Sequence, residues 1–423
     1  MSPPATPNPS GSGDIEAALH SAIKAGTING AILLATNTTA SFTYTKALGT
    51  RTLLSGEKVP QQLTDVLYLA SATKLIATVA ALQCVEDGLV SLTGDLSSIV
   101  PELTTKKILT GWSEDGETPI LEDQIRPVTL EMLLTHSAGT AYDFIDPAGL
   151  GKWNAKFNTP DKGVKRRVEN SFCYPLMFQP GSSWMYGAGL DWAGRIVERV
   201  SGRSLGDHVR ERIVGAVGGN PNDAEFYPVR SEELRARLID LNPDDPDAIG
   251  QAVLAGGGDM NLICEGDFGG HGLFMTGVDY LRVLKSLLTN DGKLLKKETV
   301  EDMFRDHLSG EAKEGHQAAL ASPMGKFFGV GTEGTKVGHG LGGLVTLEDS
   351  EGWYGSNTMS WGGGMTLVWF VDRKNDLCGI GALQAKLPLD IGKLTELKQI
   401  FRKDIYRKRA ACRVERGADV ISS

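Results

Sequence analysis

The first quarter of the chain alternates apolar and polar positions in the pattern of a helix followed by a hairpin. Apolar residues recur at helical spacing over residues 14–25, which predicts an amphipathic helix. Two strand-like runs follow at residues 30–36 and 41–47, and the polar residues 37–39 between them are typical of a hairpin turn. This part of the chain therefore predicts one helix and two antiparallel strands.

The last quarter returns to the strand pattern after a largely helical middle. In that middle, helices are predicted from Thr129 to Gly139 and from Leu190 to Gly202, because a polar cap or a glycine bounds each apolar pattern. The strand-like runs that follow are bounded by Gly, Asn and Asp, which favours antiparallel pairing. They lie at residues 327–330, 358–365, 367–372 and 378–383, and a closing helix lies at 394–406.

Strands at both ends and helices between them predict an α/β (α+β) fold: an antiparallel sheet flanked by helices, with a large all-helical insertion. Residues 14–80 and 266–423 are predicted to form the α/β lobe and residues 81–265 a mainly helical lobe. Residues 1–13, rich in Pro, Ser and Gly, are predicted to be a flexible leader.

Composition narrows the class of protein. The 423 residues carry a formal net charge of -9, which argues against a nucleic-acid partner. No apolar run reaches the length of a membrane span, so no membrane partner is predicted. The five cysteines are odd in number and unpaired in spacing, and the seven histidines show no metal spacing. The sequence therefore predicts a cytoplasmic protein with free thiols and without metal or cofactor.

The pair Ser71 and Lys74 is the first candidate for chemistry. Residues three apart on a helix share a face, so the Ser71 hydroxyl and the Lys74 amine can point into the same space. A nearby base activates a serine nucleophile, and a lysine kept neutral by burial can be that base. The amide of Ser71, at a helix start, is a candidate for half of an oxyanion hole. A helix-capping serine and a solvated lysine would explain the same pattern.

Two further stretches could complete such a site. Tyr186 precedes the helix that begins at Leu190, and a tyrosine beside an ammonium group loses its proton more easily, so it is a candidate general base. The run from Trp361 to Gly364 places three glycines in a strand, where a ligand can approach the backbone closely. The alternatives are a core tyrosine and a bulge in the sheet.

Two other patterns favour structural roles. The sequence Gly-Arg-Ser-Leu-Gly around Ser204 fits the α/β-hydrolase nucleophile motif, but that motif needs a strand before the serine, and a helix precedes it here. His136 ends a predicted helix and is interpreted as a structural hydrogen-bonding residue. The aromatic-rich segment 142–178 either packs under the domain or forms a wall of a ligand cleft, and the cleft interpretation makes Tyr142 a candidate substrate-binding residue.

Together these motifs resemble the serine β-lactamase-like superfamily, in its class C-like branch of family VIII carboxylesterases and fungal transesterases of the lovastatin acyltransferase type. The resemblance covers most of the chain. It implies that Ser71 is the nucleophile, that Lys74 and Tyr186 transfer its proton, and that the amides of Ser71 and Gly364 form the oxyanion hole. It also places Trp361 and Gly363 beside the substrate.

Two departures from the β-lactamase pattern affect the predicted substrate. Ala188 stands where that family has asparagine, and Trp361 stands where it has lysine. Because those polar groups would hold the amide and carboxylate of a β-lactam, antibiotic hydrolysis is not expected. The indole of Trp361 suits a neutral ester, thioester or polyketide-like acyl group.

The sequence therefore predicts a serine acyltransferase of secondary metabolism. It would move an acyl group from an ester or thioester donor, free or bound to a carrier protein, to a hydroxyl of a small metabolite. The first alternative is a carboxylesterase, which has the same residues and differs only in the access of water to the acyl-enzyme. The second is a non-catalytic binding protein of the same fold, although the intact Ser71, Lys74 and Tyr186 argue against it.

Overall fold

A computed structural model describes residues 14–52, 57–145, 149–158, 167–228, 231–239, 265–322, 325, 334–385 and 389–421, with side chains up to Arg413. The predicted leader at 1–13 and the predicted strand at 327–330 lie outside these residues. Within them, no helix is both long and apolar enough to cross a bilayer. Cys84, Cys173, Cys378 and Cys412 are free thiols.

The described residues form twelve strands and thirteen α-helices, numbered here in chain order. The strands are β1 Ile28–Thr36, β2 Thr43–Thr52, β3 Lys58–Pro60, β4 Val66–Tyr68, β5 Ile108–Trp112, β6 Pro119–Glu122, β7 Phe274–Thr276, β8 Val337–Gly340, β9 Gly343–Thr346, β10 Met359–Gly363, β11 Leu367–Asp372 and β12 Leu377–Ala385. The helices are α1 Ile15–Lys24, α2 Thr73–Glu86, α3 Pro101–Thr104, α4 Leu130–Leu134, α5 Leu150–Phe157, α6 Val168–Ser171, α7 Gly189–Ser201, α8 Leu205–His208, α9 Glu232–Arg237, α10 Gly277–Thr289, α11 Lys297–Met303, α12 Gly310–Ala321 and α13 Ile391–Ile421.

Eight strands form one antiparallel sheet that joins both ends of the chain. Its order is β3-β2-β1-β12-β11-β10-β9-β8, and β1 pairs with β12 so that Thr36 lies opposite Cys378. Side chains of β1 alternate between the faces: Leu33 packs toward α1 and α13, whereas Leu34 packs toward α2 and α10. This alternation is the period-2 pattern from which the strand was predicted. The fold class is confirmed: an antiparallel sheet lies between helical layers.

The predicted elements at both ends are present. Helix α1 begins after Asp14, whose carboxylate accepts hydrogen bonds from the N–H groups of Glu16 and Ala17. Strand β11 has the predicted bounds, and α13 extends beyond the predicted residue 406. The division into lobes at 14–80, 81–265 and 266–423 stays a prediction.

The middle of the chain is not purely helical, because β5 and β6 form a hairpin there. Ile120 is 50% exposed and Leu121 38% exposed, so the second strand does not show the alternation of a half-buried strand. The turn is held by Asp115, whose carboxylate accepts hydrogen bonds from the Ser113 hydroxyl and the Glu117 N–H. Local turn chemistry closes this hairpin, and the apolar pattern did not reveal it.

Candidate active site

Ser71 lies in a tight turn between a strand and a helix. β4 ends at Tyr68, the 3-10 turn Ala70–Ala72 follows, and α2 then begins. Ala70 has a φ of +45°, a conformation that costs energy for a residue other than glycine and that is found at functional sites. Helix α2 has no side-chain cap. The Ser71 hydroxyl therefore does not cap the helix, which contradicts the alternative interpretation of this motif.

The structure brings the three predicted catalytic residues together. Ser71 Oγ lies 2.5 Å from Tyr186 Oη, and Lys74 Nζ lies 3.4 Å from Ser71 Oγ. Lys74 Nζ also lies 4.7 Å from the centroid of the Tyr186 ring. Ser71 is partly exposed, whereas Lys74 and Tyr186 are buried at 2% and 4% exposure. The serine is open to a substrate, and its two partners are held in the protein.

His136 fixes the segment that carries Tyr186. The Met185 N–H donates to the carbonyl oxygen of His136 over 3.0 Å, and the Gly187 N–H donates to His136 Nδ1 over 3.3 Å. A Cβ atom on Gly187 would lie 2.3 Å from the carbonyl oxygen of Thr140, so this position requires glycine. His136 thus holds both neighbours of Tyr186, which supports its interpretation as a structural residue.

Lys74 belongs to a hydrogen-bond network that the sequence did not reveal. Its ammonium group donates to the carbonyl oxygen of Gly270 over 2.7 Å and to Tyr142 Oη over 3.2 Å. Tyr142 Oη donates in turn to Asp191 Oδ2 over 2.9 Å, and the Gly270 N–H donates to Asp191 Oδ1 over 2.8 Å. Asp191 and Gly270 are therefore residues of the candidate site that were not predicted from the sequence. The adjacent glycines 269 and 270 could have indicated a close approach to the backbone.

The glycine-rich end of β10 packs against the turn that carries Ser71. A Cβ atom on Gly363 would lie 2.1 Å from the carbonyl oxygen of Leu69, so the strand reaches the turn only because glycine stands there. Gly364 has a φ of +53°, in the left-handed region. The Trp361 ring lies 5.6 Å from the Tyr186 ring. The oxyanion role of the Ser71 and Gly364 amides, and substrate contact by Trp361, Gly363 and Tyr142, stay predictions.

Three buried histidines form a layer behind Tyr186 and Trp361. The ring of His339 lies 5.6 Å from the ring of His136 and 6.1 Å from that of His316. Burial lowers the pKa of His136 well below its usual range, that of His339 to about 4 and that of His316 to about 3. Within the described ranges, no group of His, Cys, Asp or Glu side chains could hold a metal ion. The imidazoles are therefore a neutral aromatic packing layer.

His316 makes stability depend on pH. Neither of its ring nitrogens has a hydrogen-bond partner among the described residues. Its pKa is about 3 in the folded protein, against the ordinary 6.5, so only the unfolded chain binds this proton as the pH falls below 6.5. The contribution of neutral His316 to the free energy of unfolding is fully present above pH 6.5 and is lost as the pH falls toward 3. The loss is about 2 kcal/mol at about pH 5.

We therefore expect His316→Phe, which keeps a ring beside Trp184, to weaken the acid dependence of the Tm. Thermal unfolding of both proteins between about pH 7 and about pH 5 checks this, and the wild-type Tm should fall further than that of the variant. Parallel Tm curves would contradict a neutral buried His316.

Ser204, in the competing Gly-x-Ser-x-Gly motif, caps a helix. Its Oγ accepts from the Asp207 N–H over 3.0 Å at the start of α8, and helix α7 precedes it. The motif lacks the strand that the nucleophile of an α/β-hydrolase needs. The prediction that this serine has no catalytic role is supported.

A serine in a strand-to-helix turn, three residues before a buried lysine and hydrogen-bonded to a tyrosine, defines the class of serine acyl enzymes with a β-lactamase-like fold. Comparison with known families agrees, because the family described as Beta-lactamase matches residues 21–393. The chain belongs to this family.

Similar proteins include an esterase and acyltransferases. The chain is 60% identical over 398 residues to the lovastatin esterase of Penicillium rubens, covering 94% of this chain and 99% of the relative. It is 33% identical over 398 residues to a monacolin J acid methylbutanoyltransferase of Aspergillus terreus, covering 93% and 95% of the two chains. A solved structure of a mutant simvastatin synthase from Aspergillus terreus matches with a TM-score of 0.80 at 32% identity, over 93% and 96% of the chains. The chain is therefore an enzyme of this esterase and acyltransferase group.

Proposed function

We propose that this protein is a serine esterase that hydrolyses the acyl ester of a lovastatin-like metabolite through an acyl-enzyme at Ser71. The 2.5 Å contact between Ser71 Oγ and Tyr186 Oη carries the mechanism, because it places a proton acceptor on the nucleophile. The 60% identity to a lovastatin esterase over almost its whole length supports hydrolysis and the substrate class.

The first step forms the acyl-enzyme. Ser71 Oγ attacks the ester carbonyl carbon while its proton passes to Tyr186 Oη, and the Lys74 ammonium, 4.7 Å from the tyrosine ring, favours the phenolate that accepts it. The amides of Ser71 and Gly364 hold the oxyanion. When the intermediate collapses, the bond from the carbonyl carbon to the alcohol oxygen breaks. Tyr186 returns the proton to that alcohol.

The second step repeats this path with water. Tyr186 takes a proton from water as the water oxygen attacks the acyl carbon, and then returns the proton to Ser71 Oγ as the acid leaves. The buried Trp361 beside Tyr186 favours a neutral acyl group. With Ala188 and Trp361 in place of polar side chains, no group there would bind a β-lactam carboxylate.

Acyl transfer to a hydroxyl, the function predicted from the sequence, is the second candidate. It is supported by the monacolin J acid methylbutanoyltransferase, 33% identical, and by the simvastatin synthase fold at a TM-score of 0.80. The two functions use the same serine and differ in whether an alcohol or water reaches the acyl-enzyme.

A partition experiment tests the proposal. The protein is incubated with lovastatin, with and without a thioester acyl donor and monacolin J acid as acceptor, and products are followed by chromatography with mass detection. We expect release of free acid and alcohol from lovastatin, and hydrolysis to exceed transfer when both are possible. Transfer in excess of hydrolysis would favour the second candidate, and an absence of both reactions would contradict the proposal.

A further inference from the structure

We propose that Asp191 is a positioning residue: its buried carboxylate holds Lys74 as an oriented ammonium ion through the Tyr142 hydroxyl and the Gly270 peptide group. This inference rests on the proposed acyl-enzyme function and explains how the lysine serves it. Asp191 does not touch Ser71 or Tyr186 in the hydrogen bonds described here. Its effect would reach the reacting atoms through Lys74.

The directions of the hydrogen bonds support this role. A carboxylate only accepts and an ammonium group only donates, so the Tyr142 hydroxyl between them accepts from Lys74 and donates to Asp191. The Gly270 peptide makes the second link, since its carbonyl accepts from Lys74 and its N–H donates to Asp191. Lysine and aspartate are thus joined twice by a closed ring of four hydrogen bonds.

The number of donors also fits a charged lysine. An ammonium group has three N–H donors, and Lys74 Nζ has three acceptors: Gly270 O at 2.7 Å, Tyr142 Oη at 3.2 Å and Ser71 Oγ at 3.4 Å. Lys74 is 2% exposed and Asp191 is fully buried. A buried charge needs a partner of opposite sign. Asp191 is that partner for Lys74, to which it is joined through hydrogen bonds of Tyr142 and Gly270 and not by direct contact.

The backbone is shaped to admit this carboxylate. A Cβ atom on Gly270 would lie 2.2 Å from Asp191 Oδ2, so the carboxylate and the Gly270 peptide meet only because that residue is glycine. Asp191 lies in the first turn of α7, where the helix dipole favours a negative charge. It follows Tyr186 by five residues, so one short segment positions both the base and the counter-charge.

The other titratable groups around Lys74 do not replace Asp191. Burial and the Asp191 charge raise the pKa of Tyr142 well above its usual range, so its hydroxyl keeps its proton. Burial lowers the pKa of His136 and of His271, which also face Lys74, so both are neutral near pH 7. Tyr186 is the fourth such group and is the base itself. Among these groups, the Asp191 carboxylate is therefore the negative charge that balances the Lys74 ammonium through the four hydrogen bonds.

Asp191→Asn tests the role because it keeps the shape of the side chain and removes the charge. The measurement is kcat/KM for a p-nitrophenyl ester from about pH 6 to about pH 10, with KM and the acylation rate determined separately. We expect kcat to fall about 10- to 100-fold with KM within about twofold, because the lysine loses its fixed orientation. We also expect the alkaline decline of activity to move to lower pH, because the site has lost the negative charge of Asp191.

Asp372→Asn is the matched control. Asp372 is also fully buried, and its Oδ2 also accepts from a tyrosine hydroxyl and a glycine N–H: Tyr406 at 2.7 Å and Gly355 at 2.8 Å. It lies on the α13 side of the sheet, away from Lys74. We expect this variant to lose thermal stability and to keep the wild-type pH profile.

The outcomes separate this inference from the proposed function. Folded Asp191→Asn with the wild-type pH profile would overturn the role of Asp191, while a Ser71-dependent adduct would still support the acyl-enzyme. If Asp191→Asn does not fold, Tyr142→Phe is measured instead, because it removes the hydroxyl that connects Lys74 to Asp191 and leaves the Gly270 connection. A smaller shift of the alkaline decline in the same direction supports the role of Asp191. An unchanged pH profile of Tyr142→Phe overturns it. A covalent adduct that persists in Ser71→Ala would overturn the proposed function itself.

Discussion

Replacing Ser71 with alanine will remove both the covalent adduct and catalytic turnover. The variant loses the hydroxyl oxygen that contacts both Lys74 and Tyr186 and that attacks the acyl carbon in the proposed mechanism, and removing a nucleophile costs at least about 10³-fold in rate. Because the Ser71 hydroxyl does not cap α2, we expect the Tm to stay close to wild type. Intact-mass measurement after incubation with a p-nitrophenyl ester, together with steady-state rates, checks both expectations.

Ser204→Ala is the control for this experiment. Ser204 stands in the other serine motif of the chain, where its hydroxyl accepts from the Asp207 N–H and caps α8. We expect this variant to lose about 1 kcal/mol of stability, as for a lost helix cap, and to keep both adduct and turnover. Labelling that disappears in Ser204→Ala and persists in Ser71→Ala would reverse the assignment of the nucleophile.

The sequence could predict the elements whose causes are local. Helix α1 has an aspartate cap and an apolar stripe, and β11 is a short apolar run between turn residues, so both were found. The short strands β4 and β7 were not found. They pair Val66 with Thr276, which lie more than 200 residues apart in the chain. Each strand has only three residues, which is too short to show an alternation of apolar and polar positions.

The turn at Ser71 shows a similar limit. The apolar pattern predicted that a helix begins at Ser71, but the helix begins at Thr73 after a 3-10 turn in which Ala70 has a positive φ. Gly363 packs closely against the Leu69 carbonyl beside this turn. Because the two residues are far apart in the chain, their contact leaves no pattern in the local sequence. The serine and lysine were still correctly placed on one side, because their spacing is a local property.

The candidate site divides in the same way. Ser71 and Lys74 follow from spacing, whereas Tyr186 lies 115 residues from Ser71: its position before a helix left both a general base and a core tyrosine open, and the family resemblance favoured the base. Asp191 reads in the sequence as an ordinary polar residue of an amphipathic helix. Its role depends on Gly270, 79 residues away, whose missing side chain admits the carboxylate. The hydrophobic periodicity of a sequence does not show which charged side chains are buried by contacts between distant segments.

Replacing Tyr186 with phenylalanine has the second largest expected effect. The variant keeps the ring that packs against Trp361 and His136 and removes the hydroxyl that lies 2.5 Å from Ser71 Oγ. Loss of a general base costs about 10²- to 10⁴-fold. Because the same tyrosine serves acylation and deacylation, we expect kcat and kcat/KM to fall together, with no rapid burst of p-nitrophenol. Stopped-flow and steady-state measurements check this.

Tyr174→Phe is the matched control for this substitution. Tyr174 is also buried, and its hydroxyl donates to the Ala141 carbonyl over 2.9 Å. We expect its loss to cost about 1 kcal/mol of stability, as for one buried hydrogen bond, without a change in the rate of acylation. A comparison of the two variants therefore separates the loss of a hydroxyl from the loss of the base.

The result for Tyr186→Phe also decides between two ways of moving the proton. Lys74 Nζ is the other proton-transfer group that contacts Ser71 Oγ, at 3.4 Å, and as a neutral amine it could accept the serine proton. Its three acceptors and the Asp191 carboxylate favour the ammonium form, which can only donate. Acylation of Tyr186→Phe at the wild-type rate would assign the base to Lys74 and would require its ammonium to lose a proton before attack. A loss of 10²-fold or more would place the base at Tyr186, with Lys74 as the fixed charge that stabilises its phenolate.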